Sequence, residues 1–335
     1  MSIAIQVDQR RAPGIGASQA AAALGVSPWE SPVKLWLKLT GKAEDNFSSA
    51  AAIAGVIDEP IIRGLFAQGI GADVFPSGLS ELDIRRLRSL EAEVCELLKR
   101  PGPEPLKNTR IIVPRESYIH PSFPWLRCTP DGERWERMPD ALGGDWYRSR
   151  LLSCKRPTVN TKWHWGHPRA RTVPPHYRIQ SVVEMAVTGV ESVDYAVRID
   201  ADYFEPPPVV RDLDLEATVL EQLAAFWHLV ETDTPPDVDH AKDWREYFAD
   251  KLPRQRQEIV ADPSVEALMD EWLLAWRGLN EADEVLETVK NRVLAVAAAN
   301  NANVIKTDHG EVFVRVSKKD NAFVVAPREW GVEDM

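Results

Sequence analysis

The arrangement of apolar and polar positions divides the chain into short alternating runs and longer helical ones. Leu151 to Lys155 alternates with period 2 and is stopped by Pro157, which predicts a buried strand with Ser153 and Lys155 on one face and Leu152 and Cys154 on the other. Arg110 to His120, Leu126 to Trp135 and Val193 to Ile199 predict further strands of a central sheet, with His120-Pro121 and Phe123-Pro124-Trp125 turning between the first two. Helical spacing fills the intervals. It covers Ser31 to Thr40 with Val33, Leu35, Trp36 and Leu39 inward, then Ser48 to Gln68, Asp83 to Lys99, His176 to Thr188, and Leu213 to Val230. This is an α/β pattern. Pro235-Pro236 reads as a boundary between a domain over 1–235 and an appendage over 236–335. In the appendage, Val265, Leu268, Trp272, Trp276, Leu279, Leu286, Val289 and Val293 predict one helix of about 50 Å over Val265 to Ala298. Val304 to Lys306, Glu311 to Ser317 and Ala322 to Val325 then predict a small antiparallel meander.

Three stretches break these patterns. In Thr129-Pro130-Asp131-Gly132, proline pushes the preceding residue toward extended backbone and glycine permits a tight bend, so Asp131 is held at a strand end. A carboxylate fixed in that way suits a metal. Asp58-Glu59-Pro60 places a proline inside a helix, where it removes a hydrogen bond and kinks the chain. Gly14-Ile15-Gly16-Ala17-Ser18-Gln19 precedes a run of helix formers, with Ser18 as the expected N-cap and free backbone N–H groups able to hold a phosphate. The same segment reads equally well as a plain capped helix.

Charge sharpens this picture. The chain of 335 residues has a net charge of −11, which argues against a general nucleic-acid coat. Yet Trp146 to Val183 contains no acid and eight cations: Arg148, Arg150, Lys155, Arg156, Lys162, Arg169, Arg171 and Arg178. Within it, Lys162-Trp163-His164-Trp165-Gly166-His167 interleaves bases with aromatics, a composition that grips phosphates and stacks on a base at a frayed end, or packs as an ordinary loop. Cys95, Cys128 and Cys154 have neither disulfide nor metal spacing and are expected to be core thiols. No apolar run reaches membrane length, and Met1 to Arg11 lacks the apolar core of a signal peptide, so a cytoplasmic location is expected.

The broken stretches, taken together, resemble the lambda exonuclease-like or YqaJ family of viral recombinases, within the PD-(D/E)xK nucleases. The likeness runs through Arg11, Gly14-Ile15-Gly16 and Ser18, Ser27-Pro28-Trp29, Glu59-Pro60, Pro130-Asp131-Gly132, Lys155, and Pro175-His176-Tyr177 with Gln180 and Met185 to Gly189. It implies a restriction-endonuclease-like core, a central mixed sheet flanked by helices, and a Mg²⁺- or Mn²⁺-dependent deoxyribonuclease. Asp131 would hold metal with Glu59 directed toward it, Lys155 would orient the attacking hydroxide, and Gln180 would bond near the scissile phosphate. Arg11 and Ser18 would bind DNA phosphate, with Arg156, Lys162, Arg169, Arg171 and Arg178 as further phosphate contacts from the basic block. The chain departs from the family at Gln19, at Val182 and above all at Ser153, where the family has a metal-binding Glu. Glu184, one helical turn after Gln180, is a candidate for a relocated acid, and Glu59 is the other.

The resemblance further implies a 5′ to 3′ exonuclease acting on ends of double-stranded DNA in phage-type recombination. It also implies a single-strand annealing protein as partner and a ring-shaped trimer. Two other readings follow from Ser153 and the fold: a DNA-end-binding protein with impaired catalysis, and an endonuclease.

Overall fold

The structure, a computed structural model, describes residues 14–43, 50–99, 106–139, 144–249, 263–265, 267–279, 282, 285, 304–307, 310–316 and 322–325. Packing divides the chain into two compact units, Met1–Leu252 and Pro253–Met335. The first opens with β1 (Ile15–Gly16), α1 (Ala17–Ala23), α2 (Pro32–Leu39), α3 (Ala50–Gly69), β2 (Asp73–Pro76), α4 (Glu81–Leu97) and β3 (Thr109–Val113). It continues through β4 (Tyr118–Ile119), β5 (Leu126–Cys128), β6 (Gly132–Arg137) and β7 (Trp146–Lys155) to a 3-10 turn over Val159–Trp165. Then come β8 (Gly166–His167), β9 (Ala170–Arg171), α5 (Pro175–Thr188), β10 (Ser192–Ile199), β11 (Asp202–Phe204), β12 (Val209–Val210), α6 (Leu213–Glu231) and α7 (Asp243–Ala249).

The central sheet has the order β11-β10-β7-β6-β3-β2, with β12 also on β10. It is mixed, because β7 runs parallel to β10 and antiparallel to β6, and β2 runs parallel to β3. β7 lies in the middle with both faces covered. On one face Leu151 packs with Trp165, Met185, Val193 and Tyr195 beneath α5; on the other Leu152 and Cys154 pack with Ile62, Phe66 and Ala67 of α3 and with Ile111. The period-2 assignment of these side chains therefore sends Ser153 and Lys155 toward α5 and Cys154 toward α3.

Two expected strands are each broken in two. Arg110 to His120 becomes β3 and β4, and Leu126 to Trp135 becomes β5 and β6; β4 and β5 leave the central sheet for a small one of order β1-β5-β4. Pro114 and Pro130 are the cause, since neither has an N–H for a ladder. β2, four residues ending in proline, has no counterpart in the sequence reading. Pro235-Pro236 ends α6 without ending the packing unit: α7 returns to α2, where Ser31 Oγ donates to Asp243 Oδ2 at 2.6 Å and Tyr247 meets Trp36 edge-on.

In the second unit, residues 263–265 and 267–279 are helical, within the expected long helix; Leu286, Val289 and Val293 lie outside the described residues. β13 (Val304–Thr307), β14 (Gly310–Val316) and β15 (Ala322–Val325) form the expected antiparallel meander.

Candidate active site

The turn between β5 and β6 positions Asp131. Gly132 starts β6 directly opposite Leu152, and a Cβ there would meet Ile111 Cγ2 at 2.9 Å, so only glycine lets β6 approach its neighbours this closely. Asp131 is thereby set against the end of β7, where its Oδ2 accepts from the Cys154 N–H at 2.7 Å. Its carbonyl accepts from Arg63 Nε at 2.7 Å, and Arg63 Nη2 in turn donates to Glu59 Oε1. Helix α3, unbroken with Pro60 inside it, thus brings Glu59 to the Asp131 turn through one arginine.

On the α5 face, Lys155 Nζ donates to Gln180 Oε1 at 3.2 Å and Gln180 Nε2 donates to Glu184 Oε1 at 2.7 Å. Tyr177 stands 5.0 Å from the ammonium, over its ring. Gln180 and Glu184 share a face of α5 because they are four apart, as the sequence spacing requires. Glu184 is 3% exposed. Burial, then the Asp131 charge, push its carboxyl up to about 7, against the opposing pull of Lys155 and of the Gln180 hydrogen bond. Burial followed by Asp131 likewise raises Glu59, with Arg63 and Lys155 opposing. At Lys155 burial lowers the proton affinity, but Asp131, Tyr177, Glu184 and Cys154 outweigh it and the group lies above its ordinary value, so it remains an ammonium.

Ser153 sits on the same face in register with Tyr195, 1% exposed, and its Oγ has no hydrogen-bond partner among the described residues. Tyr195 spends its hydroxyl on the Tyr177 carbonyl at 2.8 Å and on Ser181 at 2.6 Å instead. Among the described residues no three His, Cys, Asp or Glu side chains converge closely enough to hold a metal ion as a set.

The phosphate candidates separate. Arg11 lies outside the described residues. Ser18 is not the N-cap of α1: Gly16 occupies that position and Gln19 Oε1 accepts from its N–H at 3.0 Å, leaving Ser18 exposed inside the first turn. Pairing of Gly16 with Arg127 in β1 fixes the helix start two residues earlier than the serine suggests. Half of the cations in the acid-free block are met by acids from other elements. Arg148 pairs with Glu133 at 2.8 Å, Arg150 with Asp194 at 3.0 Å, Arg156 with Asp58 at 2.5 Å and Lys162 with Asp202 at 2.5 Å. Arg171 donates to the Gly166 carbonyl at 3.0 Å and covers Phe204. Arg169 and Arg178 are exposed, and their guanidinium groups have no partner among the described residues.

Arg63, Tyr177 and Asp58 were not singled out from the sequence. For Arg63 a signal existed, since it follows Glu59 by four helical residues; Asp58 had none, because its partner is 98 residues away. All three cysteines are free, and Cys128 and Cys154 are buried as expected.

The profile of the YqaJ-like viral recombinase domain matches residues 8–191. An alkaline exonuclease (LHK-Exo) from Laribacter hongkongensis is similar in structure at 18% identity, over 72% of this chain and 95% of that chain, with a TM-score of 0.42. The same exonuclease in complex with dAMP is similar at 19% identity over 72% and 95%, with a TM-score of 0.45. No curated protein matches the chain.

Proposed function

The chain belongs to the YqaJ-like viral recombinase family, and from that premise we propose that it is a Mg²⁺- or Mn²⁺-dependent deoxyribonuclease, a 5′ to 3′ exonuclease on double-stranded DNA ends in phage-type recombination. Hand-over of the resulting single strand to an annealing protein, and assembly as a ring-shaped trimer, belong to the same reading. The observation that carries it is the convergence of Asp131, Lys155, Gln180 and Glu184 at the end of β7, with Glu59 tied to Asp131 through Arg63.

The donors suit a hard cation. Asp131 Oδ1 and Glu59 Oε2 have no protein donor among the described residues, and the charge of Asp131 raises the proton affinity of both Glu59 and Glu184, a repulsion that a divalent ion relieves. Among the described residues no three acids converge, so the protein's share of one ion would be a pair, Asp131 with Glu59 or Asp131 with Glu184. When bound, Mg²⁺ supplies charge stabilisation for the phosphoryl oxygens. The chain's own groups do the positioning. Lys155 keeps its proton and uses one of three N–H donors on Gln180, so two remain for a nucleophilic oxygen or a phosphate oxygen. Gln180, held at its amide nitrogen by Glu184, fixes where that ammonium points.

Digestion of linear and circular duplex, with and without Mg²⁺, tests the reading. Loss of linear DNA only with metal, sparing circles, is the expected result, and cutting of circles would make the protein an endonuclease. A second reading, end binding with impaired catalysis, is favoured by one observation, the unpartnered Ser153 hydroxyl at the family's acid position. An inactive parent whose cleavage is restored by Ser153→Glu would establish it. Among the described residues no helix is long and apolar enough to cross a membrane; a cytoplasmic site of action goes with the proposed function.

A further inference from the structure

Aromatic rings form a continuous wall beside Lys155. Trp29, in the connection between α1 and α2, meets His176 edge-on at 4.6 Å and lies 5.9 Å from Tyr177. Trp163 packs on His164 at 3.8 Å, and His164 reaches His176 at 6.2 Å. His176 and Tyr177 are 4.2 Å apart, and Tyr177 is the ring beneath the Lys155 ammonium. The two ends of the wall are open while its middle is closed: Trp29 is 57% and Trp163 63% exposed, whereas His176 is 6% exposed and its Nε2 is buried without a hydrogen-bond partner among the described residues. Ordinary loop packing has a different signature in this very turn, since Trp165, two residues on from Trp163, is 1% exposed in the core under α5. An indole left largely in water at each end of a ring-lined surface offers π-faces to any base, while the buried imidazole offers no edge for reading one. Arg178 and Arg169, exposed and with guanidinium groups that have no partner among the described residues, flank the same segments and can follow a phosphate backbone.

We propose that Trp29 and Trp163, with His164 and His176 between them, form a sequence-tolerant stacking site for the unpaired base of a nucleotide adjoining the phosphate at Lys155. The inference rests on the nuclease reading of Lys155 and adds to it a ligand, a single-stranded nucleotide, and the residues that hold its base. Trp29 replaces Trp165 as the second indole of the pair that sequence interleaving suggested.

The test uses the full-length chain in EDTA and two labelled single strands of equal length and charge, one with bases and one abasic, with binding followed by fluorescence anisotropy. The parent should bind the base-bearing strand roughly tenfold or more tightly than the abasic one. Trp29→Ala and Trp163→Ala should each weaken the base-bearing strand about tenfold and leave the abasic strand unchanged, while Trp29→Phe and Trp163→Phe keep most of the affinity. Equal affinity of the parent for both strands overturns the site, as does a loss in the alanine variants that extends equally to the abasic strand. Digestion of linear duplex with Mg²⁺ by the same preparations separates the two claims. Base-blind binding with normal digestion removes the stacking site alone, and base-dependent binding without digestion removes the nuclease reading and leaves the site.

Discussion

Glu184 is buried, shares a hydrogen bond with Gln180 and is pushed up to about 7 by burial first and Asp131 second. A carboxyl raised in the fold above an unfolded value near 4.5 holds a proton that the unfolded chain releases, so its stabilising contribution is complete below pH 4.5 and is lost as pH rises through about 7. The whole effect is at most about 3 kcal/mol. In EDTA, Glu184→Gln should therefore raise the melting temperature at pH 8 and change it little near pH 4, while lowering Mg²⁺-supported cleavage at least tenfold. A melting difference that does not vary with pH would show that folding leaves the Glu184 carboxyl unshifted, and full cleavage would reject it as the relocated acid. Ser153→Glu has the opposite signature. It adds a carboxylate to a closed face already near Glu184, so it should melt lower than the parent in EDTA, gain more from Mg²⁺ than the parent does, and retain or raise cleavage. These residues were legible because local rules place them: the Pro-Asp-Gly turn for Asp131, alternation for Ser153 and Lys155, four-residue spacing for Gln180 and Glu184. The hydrogen bond of Asp131 to the Cys154 N–H was not legible, because it depends on the register of β6 against β7.

At the level of elements, β6 has no room for a Cβ at Gly132, and the position of Asp131 follows from that approach. Gly132→Ala must displace Ile111 or the strand itself, at a cost of about 1–3 kcal/mol. Cleavage should fall further than the loss of folded protein explains, because the shift acts on the residue next door. Gly64→Ala in α3 is the control: nothing lies within 4 Å of its added Cβ, so it should be neutral or stabilise by up to about 1 kcal/mol without affecting cleavage. Paired melting curves and digestion rates check both, and equal effects on the two would dismiss Gly132 as a positioning element. Helices α2 to α6 and the inner strands β7 and β10 were legible because each carries a periodic signal, whereas α7, of seven residues, was not. β3 was not resolved from β4, nor β5 from β6, since a proline that interrupts a ladder does not show which sheet the next residues join. The start of α1 was misplaced to Ser18 because serine is an ordinary cap, whereas Gly16 is fixed by its pairing with β5 and capped from Gln19.

Over the whole molecule, a net charge of −11 coexists with a segment from Trp146 to Val183 that has no acid. Sequence shows that segregation but not which acids fold back onto it. Asp58, Glu133 and Asp194, each largely shielded from solvent, come from α3, β6 and β10 to pair with Arg156, Arg148 and Arg150. Lys162 and Asp202 pair in the open, where an ion pair contributes little and a phosphate can replace it. Of the described cations in the block, Lys162, Arg169 and Arg178 are thus left for DNA beside Lys155 at the site, and about four phosphate contacts predict that log K for duplex falls with log salt at a slope of about −4, rather than the value of about −7 expected if all eight took part. Anisotropy titrations between low and physiological salt measure it. Asp58→Asn releases Arg156 and should steepen the slope by about one while tightening binding at low salt. A steep slope in the parent would mean that the shielded pairs open to phosphate, and no change in Asp58→Asn would place Arg156 off the path of the DNA.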